Sequence, residues 1–200
     1  MKEISGKQLY YAFAAGGQAV ISQREDLNKM NVYPVPDGDT GSNLSFTLKN
    51  IIEQSDIFQD AGKTMQSLAE AALSGARGNS GILFAQFVNG MAEKIGDASS
   101  ITVERFSNAV HHAARSAYNA ISNPVEGTML TVMKDFAESL KEKHISAADF
   151  KAVFSAAMKT AQKSLAATKN QLEVLKKANV IDAGAKGFVA FMEGFYRFIE

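Results

Sequence analysis

Apolar residues recur along most of the chain at the spacing of an α-helix. In each stripe they stand three or four positions apart, which places them on one face of a helix. Eight such stripes follow one another, beginning at Leu9, Leu44, Met65, Phe84, Phe106, Met129, Phe150 and Phe188. No segment alternates apolar and polar residues with the period of two that is typical of a half-buried strand. The pattern therefore predicts an all-α chain with about eight helices and no sheet.

Polar residues mark where some of these helices begin. Thr102 precedes Val-Glu104, which is the arrangement of a helix cap followed by an acid in the first turn. Ser146 stands before Ala-Ala-Asp149, close to the arrangement of a capping box. No linker or repeat divides the chain, so residues 1–200 are predicted to form one domain. The last stripe runs almost to the final residue, and we therefore expect an N-terminal fragment of a longer protein.

Composition narrows the class of protein. The chain has 200 residues, of which 46 % are hydrophobic, enough for one substantial core. Lysine plus arginine and aspartate plus glutamate balance at 21 each, so no net field favours a nucleic acid. Cysteine is absent, which excludes disulfides and thiolate zinc sites. No signal peptide and no apolar run of about 20 residues is found. We expect a cytoplasmic domain with no transmembrane segment and no nucleic-acid partner.

Two aspartates in a proline-containing loop are the strongest candidates for chemistry. The loop reads Asn31-Val-Tyr-Pro-Val-Pro-Asp-Gly-Asp-Thr-Gly-Ser-Asn43. Gly38 can take a positive φ, which would let Asp37 and Asp39 converge on one cation. Oxygen ligands suit magnesium or calcium, and two carboxylates with an open site fit magnesium on nucleotide phosphates. The alternative is an Asp-Gly turn followed by an ordinary helix cap.

The residues after these aspartates open a predicted helix. Free amides at a helix N-terminus bind phosphate, and Gly41 would let the backbone approach closely. The segment from Thr40 to Asn43 is therefore predicted to contact phosphate, next to a magnesium ion on Asp37 and Asp39.

Three further loops are weak signals by themselves. The segment Gly75-Ala-Arg-Gly-Asn-Ser-Gly81 should break a helix and expose amides and the Ser80 hydroxyl. Arg77 could meet a phosphate, although an arginine at a turn is usually only solvated. Residues 123–129 read as an ordinary turn, and Asp182 with Gly184 reads as a helix cap. The three histidines have no metal-ligand spacing.

Taken together, four segments resemble one family: 31–43, 75–81, Glu126-Gly-Thr-Met-Leu130 and Val180-Ile-Asp-Ala-Gly184. They resemble the N-terminal kinase domain of the bacterial fatty acid kinases. That domain is related to the L subunit, or nucleotide-binding domain, of dihydroxyacetone kinases. The resemblance spans nearly the whole chain. It implies an antiparallel eight-helix barrel with ATP or ADP and Mg²⁺ at one end.

The resemblance also implies roles for individual residues. Asp37 and Asp39 match the last two of three aspartates that hold two magnesium ions in dihydroxyacetone kinases, and Asn31 stands at the first position. Because asparagine is neutral, one metal would be held more weakly or through water. The implied nucleotide contacts are Thr40, Gly41, Ser42, Asn43, Asn79, Ser80, Thr128, Met129, Asp182, Ala183 and Gly184.

The implied reaction transfers the γ-phosphoryl group of ATP to the carboxylate of a fatty acid. A separate fatty-acid-binding protein would present that acid and engage the C-terminal domains of the same polypeptide. A carboxylate is already ionised near neutral pH and needs no general base. Two alternatives stay open: a dihydroxyacetone-kinase-like subunit with a hydroxyl acceptor, and a nucleotide-sensing module without catalysis. The Pro-Val-Pro insertion and Asn31 favour the fatty acid branch.

Overall fold

The computed structural model describes residues 1–144 and 149–200, which form ten helices and two short strands. The helices are α1 (Gly6–Ile21), α2 (Arg24–Lys29), α3 (Thr40–Gln54), α4 (Ala61–Ser74), α5 (Gly78–Ile95), α6 (Val103–Asn119), α7 (Met129–His144), α8 (Phe150–Gln171), α9 (Glu173–Ala178) and α10 (Ala183–Ile199). The strands are β1 (Glu3–Ser5) and β2 (Ser100–Thr102). Ser146, predicted as a helix cap, lies outside the described residues.

The all-α prediction is confirmed, and each of the eight apolar stripes begins within one of the eight longer helices, although the stripe from Phe106 ends at Ile121, two residues beyond α6. The other two helices, α2 and α9, have six residues each and are too short to show a repeat. The prediction of no sheet was wrong, because β1 pairs antiparallel with β2. Ile4 stands opposite Ile101 in this ladder, and both are fully buried. Three residues per strand are too few to display the period of two.

Side-chain caps fix several helix starts. The Thr102 side chain accepts a hydrogen bond from the amide of Arg105, and Glu104 stands in the first turn of α6, as predicted. Asp149 caps α8 by accepting from the amide of Ala152. Across the described residues, no helix combines the length and the apolar content needed to cross a membrane.

Helix α10 is the centre of the core. Its phenylalanines Phe188, Phe191 and Phe195 are buried and contact aromatic rings from five other helices. The partners are Phe13 of α1, Phe84 and Phe87 of α5, Phe106 of α6, Phe136 of α7 and Phe154 of α8. Most of these rings meet edge to face, the arrangement that aromatic quadrupoles favour. The position of α10 is therefore determined from several sides.

Helices α1 and α10 cross with their backbones in contact. A Cβ atom added to Gly194 would lie 2.5 Å from the carbonyl oxygen of Ala15 and 2.8 Å from the Cα atom of Gly16. A side chain at Gly194 would therefore push the two helices apart. The crossing lies toward the C-terminal part of α10, while the N-terminal turn of α10 faces the candidate site.

Candidate active site

A buried asparagine organises the loop between α2 and α3. The Asn31 Nδ2 atom donates to the carbonyl oxygens of Tyr33 (3.3 Å) and Val35 (3.1 Å). Its Oδ1 atom accepts from the amides of Asp39 (3.1 Å) and Thr40 (3.0 Å). Asn31 thus folds the loop onto the start of α3. The role of Asn31 as a metal ligand stays a prediction. To bind a metal, the Asn31 side chain would have to do so while it makes these four hydrogen bonds.

The two aspartates are exposed at the edge of this loop. Gly38 between them has a φ of +67°, the turn that the sequence predicted. Asp39 is the N-cap residue of α3, but its side chain makes no capping hydrogen bond, and the amide of Ser42 that it could accept from donates to Asn28 instead. The carboxylate of Asp39 is therefore left available.

The donor set at this edge fits magnesium better than a closed metal cage. Within residues 1–144 and 149–200, no group of three or more His, Cys, Asp or Glu side chains is placed to hold a metal ion. An ion on Asp37 and Asp39 would need further ligands from water and phosphate oxygens. Magnesium is usually bound in that way, with few protein ligands. The metal roles of these two residues remain predictions that the geometry permits.

The start of α3 is less open than the sequence indicated. Asn28 of α2 accepts from the amide of Ser42 (3.0 Å) and donates to its hydroxyl (3.0 Å). The amides of Thr40 and Ser42 are therefore occupied by two asparagine side chains rather than free. Gly41 is buried against α2, where an added Cβ would overlap the Arg24 carbonyl oxygen. Any phosphate contact of Thr40 or Ser42 would fall mainly to the hydroxyl groups.

A cavity of about 290 Å³, which we call the nucleotide cavity, lies where four helices begin. The first turns of α3, α5, α7 and α10 all contribute to its wall. Seven of the eleven predicted nucleotide contacts line it: Thr40, Asn79, Ser80, Thr128, Met129, Asp182 and Gly184. The N-terminus of a helix carries partial positive charge, so this convergence favours an anionic ligand, although Asn31 and Asp182 already accept from amides of α3 and α10.

The remaining predicted contacts are not brought into this cavity. Ser42 and Asn43 line a neighbouring cleft of about 630 Å³ together with Asp39. Gly41 and Ala183 are buried in the first turns of α3 and α10. Their contact roles remain predictions, and the structure gives Gly41 a packing role at the contact between α2 and α3.

Ser80 lies in the first turn of α5 and is buried, with 9 % of its surface exposed. The prediction of an exposed hydroxyl was therefore wrong. Its Oγ atom has no hydrogen-bond partner among the described residues. Buried polar groups are nearly always hydrogen-bonded, so an unpaired hydroxyl in a cavity wall indicates a ligand or a water molecule.

Asp182 caps α10, as its sequence context predicted. Its Oδ2 atom accepts from the amide of Ala185 at 2.8 Å. Burial raises the pKa of this carboxyl to about 6, although hydrogen bonds from the amides of Ala185, Met129 and Gly184 act in the opposite direction. The same side chain thus joins the first turns of α10 and α7 and lines the nucleotide cavity.

The sequence did not identify the apolar part of the cavity wall. It is formed by Tyr33, Pro34, Leu83, Ile121, Val125 and Leu130, with Asn123 beside them. Ile121 is the last residue of the apolar stripe that begins at Phe106, and Leu83 precedes Phe84, so helical spacing alone does not separate these cavity residues from core residues. Only the fold shows that they face a common space, in which a flat apolar group would find contacts.

Comparison with known proteins places the chain in a family. A family model described as the DAK2 domain matches residues 34–197. An uncharacterized protein of Staphylococcus epidermidis (strain ATCC 12228) is 34 % identical over 199 residues, covering 98 % of this chain and 36 % of the relative. An uncharacterized protein of Staphylococcus aureus (strain USA300) is 33 % identical over 202 residues, covering 100 % and 37 %. The chain spans little more than a third of the length of these relatives.

Solved structures support the same fold. The dihydroxyacetone kinase from C. freundii in complex with AMP-PNP and Mg²⁺ superposes with a TM-score of 0.69 and 17 % identity, covering 94 % of this chain and 33 % of that chain. Its native form gives a TM-score of 0.65 with 16 % identity, covering 94 % and 34 %. At this identity the likeness concerns the fold. Because the family model covers most of the sequence, the chain belongs to the DAK2 domain family.

Proposed function

We propose that this domain binds Mg-ATP in the nucleotide cavity and transfers the γ-phosphoryl group to the carboxylate of a fatty acid. A separate fatty-acid-binding protein would present the acid, and further domains of a longer polypeptide would engage that protein. The observation that carries the proposal is the meeting of four helix N-termini next to two exposed aspartates. This arrangement combines an anion site with a cation site, and Mg-nucleotide needs both.

Different parts of the nucleotide would contact different groups of residues in and beside the cavity. The apolar residues suit the base, and the unpaired Ser80 hydroxyl suits a phosphate oxygen. Asp39, which lines the neighbouring cleft, and the exposed Asp37 two residues before it would hold the magnesium ion at the rim of the cavity. Bound magnesium would supply positive charge to neutralise the phosphate oxygens. The C. freundii dihydroxyacetone kinase was solved with AMP-PNP and Mg²⁺, which supports the same ligand here.

In the proposed step, a carboxylate oxygen of the acceptor attacks the γ-phosphorus of ATP. A new bond forms between that oxygen and phosphorus, and the bond from phosphorus to the bridging oxygen breaks. The electron pair of the broken bond leaves with ADP, and the product is an acyl phosphate. No proton has to be removed from an ionised acceptor, so the protein positions the groups and needs no general base.

The make-up of the cavity is compatible with such an acceptor. Among the described residues that line it, there is no histidine, and Asp182 is the one carboxylate. That carboxylate caps α10 and its Oδ2 atom accepts from the amide of Ala185, so the structure gives it a structural role at this helix start. The resemblance of the loop from Asn31 to Asn43 to fatty acid kinases supports the same choice.

Asp39→Asn and Asp37→Asn test the magnesium site. In the intact protein with its partner, we expect each variant to lower phosphoryl transfer by at least about 1,000-fold, since a neutral amide leaves the phosphate charge unbalanced. Nucleotide binding should also lose its dependence on magnesium concentration in a calorimetric titration. The melting temperature should stay the same, because neither carboxylate makes a structural hydrogen bond that would be lost. Asp97→Asn, an exposed aspartate that lines neither cavity, is the control.

The acceptor is tested separately from the nucleotide site. Wild-type protein is assayed with a fatty acid on its binding protein and, in parallel, with dihydroxyacetone. Transfer to dihydroxyacetone alone would reject the carboxylate acceptor and leave the nucleotide site intact. Nucleotide binding without transfer to either acceptor would favour a sensing module. Full activity in both aspartate variants would show that the metal assignment is wrong.

A further inference from the structure

A second cavity lies on the other side of the wall that bounds the nucleotide cavity. We call this cavity of about 630 Å³ the basic cleft. The residues of its lining that matter here are Arg24, Asp39, Ser45, Phe46, Lys49 and Arg77. The two cavities share their wall: Asp39 faces the cleft while the next residue, Thr40, faces the nucleotide cavity. In the same way Arg77 faces the cleft, and Ser80 faces the nucleotide cavity.

The three basic side chains of the cleft differ in their partners. Arg24 is paired with Glu25 at 2.7 Å, and Lys49 lies 3.7 Å from Glu53. Arg77 forms no ion pair with any carboxylate in the part of the chain that the structure describes. Its guanidinium lies instead over the ring of Phe46, 5.1 Å from the centroid. Stacking on an aromatic ring leaves the edge of a guanidinium free to bind an anion through two parallel hydrogen bonds.

The backbone of Arg77 is held in place by α3. Its amide donates to the Thr47 hydroxyl at 3.1 Å, and that hydroxyl donates to the carbonyl oxygen of Asn43 at 3.0 Å. Gly75 packs directly against Asn50 of the same helix, where an added Cβ would collide with the side chain. A side chain that leaves from a fixed backbone loses less entropy when it binds a ligand. Arg77 is thus more than a solvated turn residue.

A second unpaired hydroxyl lies in the same cleft. Ser45 of α3 is buried, with 8 % of its surface exposed, and its Oγ atom has no hydrogen-bond partner among the described residues. Ser45 in the basic cleft and Ser80 in the nucleotide cavity are thus alike: each is a buried serine whose hydroxyl has no partner among the described residues. A buried unpaired donor beside a free arginine indicates that a polar, anionic group belongs there.

We propose that the basic cleft is the acceptor subsite and that Arg77 binds the carboxylate of the phosphoryl acceptor. This inference rests on the proposed function and adds the place in the structure where the acceptor binds. The cleft and the nucleotide cavity adjoin at Asp39 and Thr40, so a carboxylate held by Arg77 would reach the phosphate end of the nucleotide at that edge, at the start of α3. Phe46, which is half exposed, offers an apolar face to the chain that follows the carboxylate.

Arg77→Gln, Arg77→Lys and the control Arg197→Gln test this subsite in the intact protein with its partner. Arg197 is an exposed arginine at the far end of α10 and lines neither cavity. We expect Arg77→Gln to lower kcat/KM for the fatty acid by about 10- to 100-fold, the effect of losing a charge-assisted hydrogen bond. Arg77→Lys should restore part of the loss. The Kd for Mg-ADP should change less than about twofold in all three variants, because Arg77 does not line the nucleotide cavity.

Two kinetic outcomes would overturn the assignment. Unchanged kcat and KM for the fatty acid in Arg77→Gln would show that Arg77 does not bind the acceptor. An equal loss of affinity for Mg-ADP would make Arg77 a ligand of the nucleotide instead.

A binding measurement separates this inference from the proposed function. The fatty acid on its binding protein, and the same binding protein without fatty acid as a control, are titrated into the Mg-ADP complex while the guanidinium Nε resonance of Arg77, assigned by its absence in Arg77→Gln, is followed by NMR. A saturable shift supports the subsite, whether or not the wild-type protein transfers phosphate to a fatty acid. If no transfer to a fatty acid occurs, only the proposed function is rejected. The absence of a shift would reject the subsite even if transfer occurs.

Discussion

The nucleotide cavity and the basic cleft share one wall but differ in the source of their positive charge. The nucleotide cavity has no lysine or arginine among the described residues of its lining, so partial positive charge there comes only from the first turns of four helices and is opposed by the Asp182 carboxylate. The cleft is lined by Arg24, Lys49 and Arg77, against the carboxylates of Glu25 and Asp39. Helix dipoles are set by the fold and cannot be removed by one substitution, whereas charged side chains can be exchanged without moving a helix. The positive charge of the nucleotide cavity thus depends on the fold, whereas the charge of the basic cleft can be changed by single substitutions.

Substitution of Asn31 should have the largest effect, because this residue holds the point where the two cavities meet. Asn31→Asp keeps an acceptor for the amides of Asp39 and Thr40 but loses the donors to the carbonyls of Tyr33 and Val35. We expect the free energy of unfolding to fall by about 4 kcal/mol, since two carbonyls lose their partners and face a new negative charge. Chemical denaturation without magnesium measures this loss.

The same variant distinguishes a loop organiser from a metal ligand. If Asn31 only organises the loop, Asn31→Asp should weaken the binding of Mg-ADP, because Asp39 and Thr40 are displaced together. Tighter binding of magnesium in Asn31→Asp would contradict this and would identify position 31 as a metal ligand. Asn31→Ala, which removes all four hydrogen bonds, sets the scale of the structural loss.

Asp182 offers a test of the nucleotide cavity through pH. Its pKa of about 6 in the folded state lies above the ordinary value of 3.8, so the folded state holds the proton more tightly than the unfolded state. The resulting stabilisation is complete below about pH 4 and is lost as the pH rises through about 6. Asp182→Asn removes this titration while its amide oxygen can still accept from Ala185. At pH 7 the variant should be more stable than wild type by up to about 3 kcal/mol, and this gain should shrink toward pH 4.

Urea unfolding at several values between pH 4 and pH 7 measures this difference. Asp60→Asn makes the same change at the N-cap of α4, where the carboxylate accepts from the amide of Lys63, and should show no such gain at neutral pH. A difference between Asp182→Asn and wild type that does not vary with pH would show that burial of the charge is not its cause.

The smallest effects should come from the two unpaired hydroxyls, one on each side of the wall. Ser80→Ala should weaken the binding of Mg-ADP about tenfold, the cost of one hydrogen bond to a charged ligand. Its stability should be unchanged or slightly higher, because a buried unpaired hydroxyl is removed. Ser45→Ala should show the same stability and leave the affinity for Mg-ADP unchanged, since Ser45 lines only the cleft. Isothermal titration calorimetry of Mg-ADP binding to both variants checks this. An equal loss of affinity for Mg-ADP in both variants would mean that the two cavities do not bind separate ligands.

Apolar spacing predicted the eight long helices because each has enough turns to repeat its pattern. The helices of six residues and the three-residue strands were missed, since neither shows a full period. The loop chemistry was partly predictable as well. Gly38 does take a positive φ, and Asp182 does cap α10, because both depend only on neighbouring residues.

Long-range contacts account for what the sequence did not show. Asn28 and Asn31 occupy amides at the start of α3 from 14 and 9 residues away, so those amides looked free. Arg77 looked like a solvated turn residue because its aromatic partner, Phe46, lies on another helix. The apolar lining of the nucleotide cavity looked like core. In each case the deciding neighbour is set by helix packing rather than by local sequence.

The contact between Gly16 and Gly194 limits how closely α10 can lie to α1. A helix is stiff along its axis, and Gly184 stands ten residues from Gly194, which is about 15 Å of helix. The spacing that these two glycines allow therefore helps to position the first turn of α10, where Asp182 and Gly184 line the nucleotide cavity. The dimensions of that cavity are thus set in part by two glycines that never approach it.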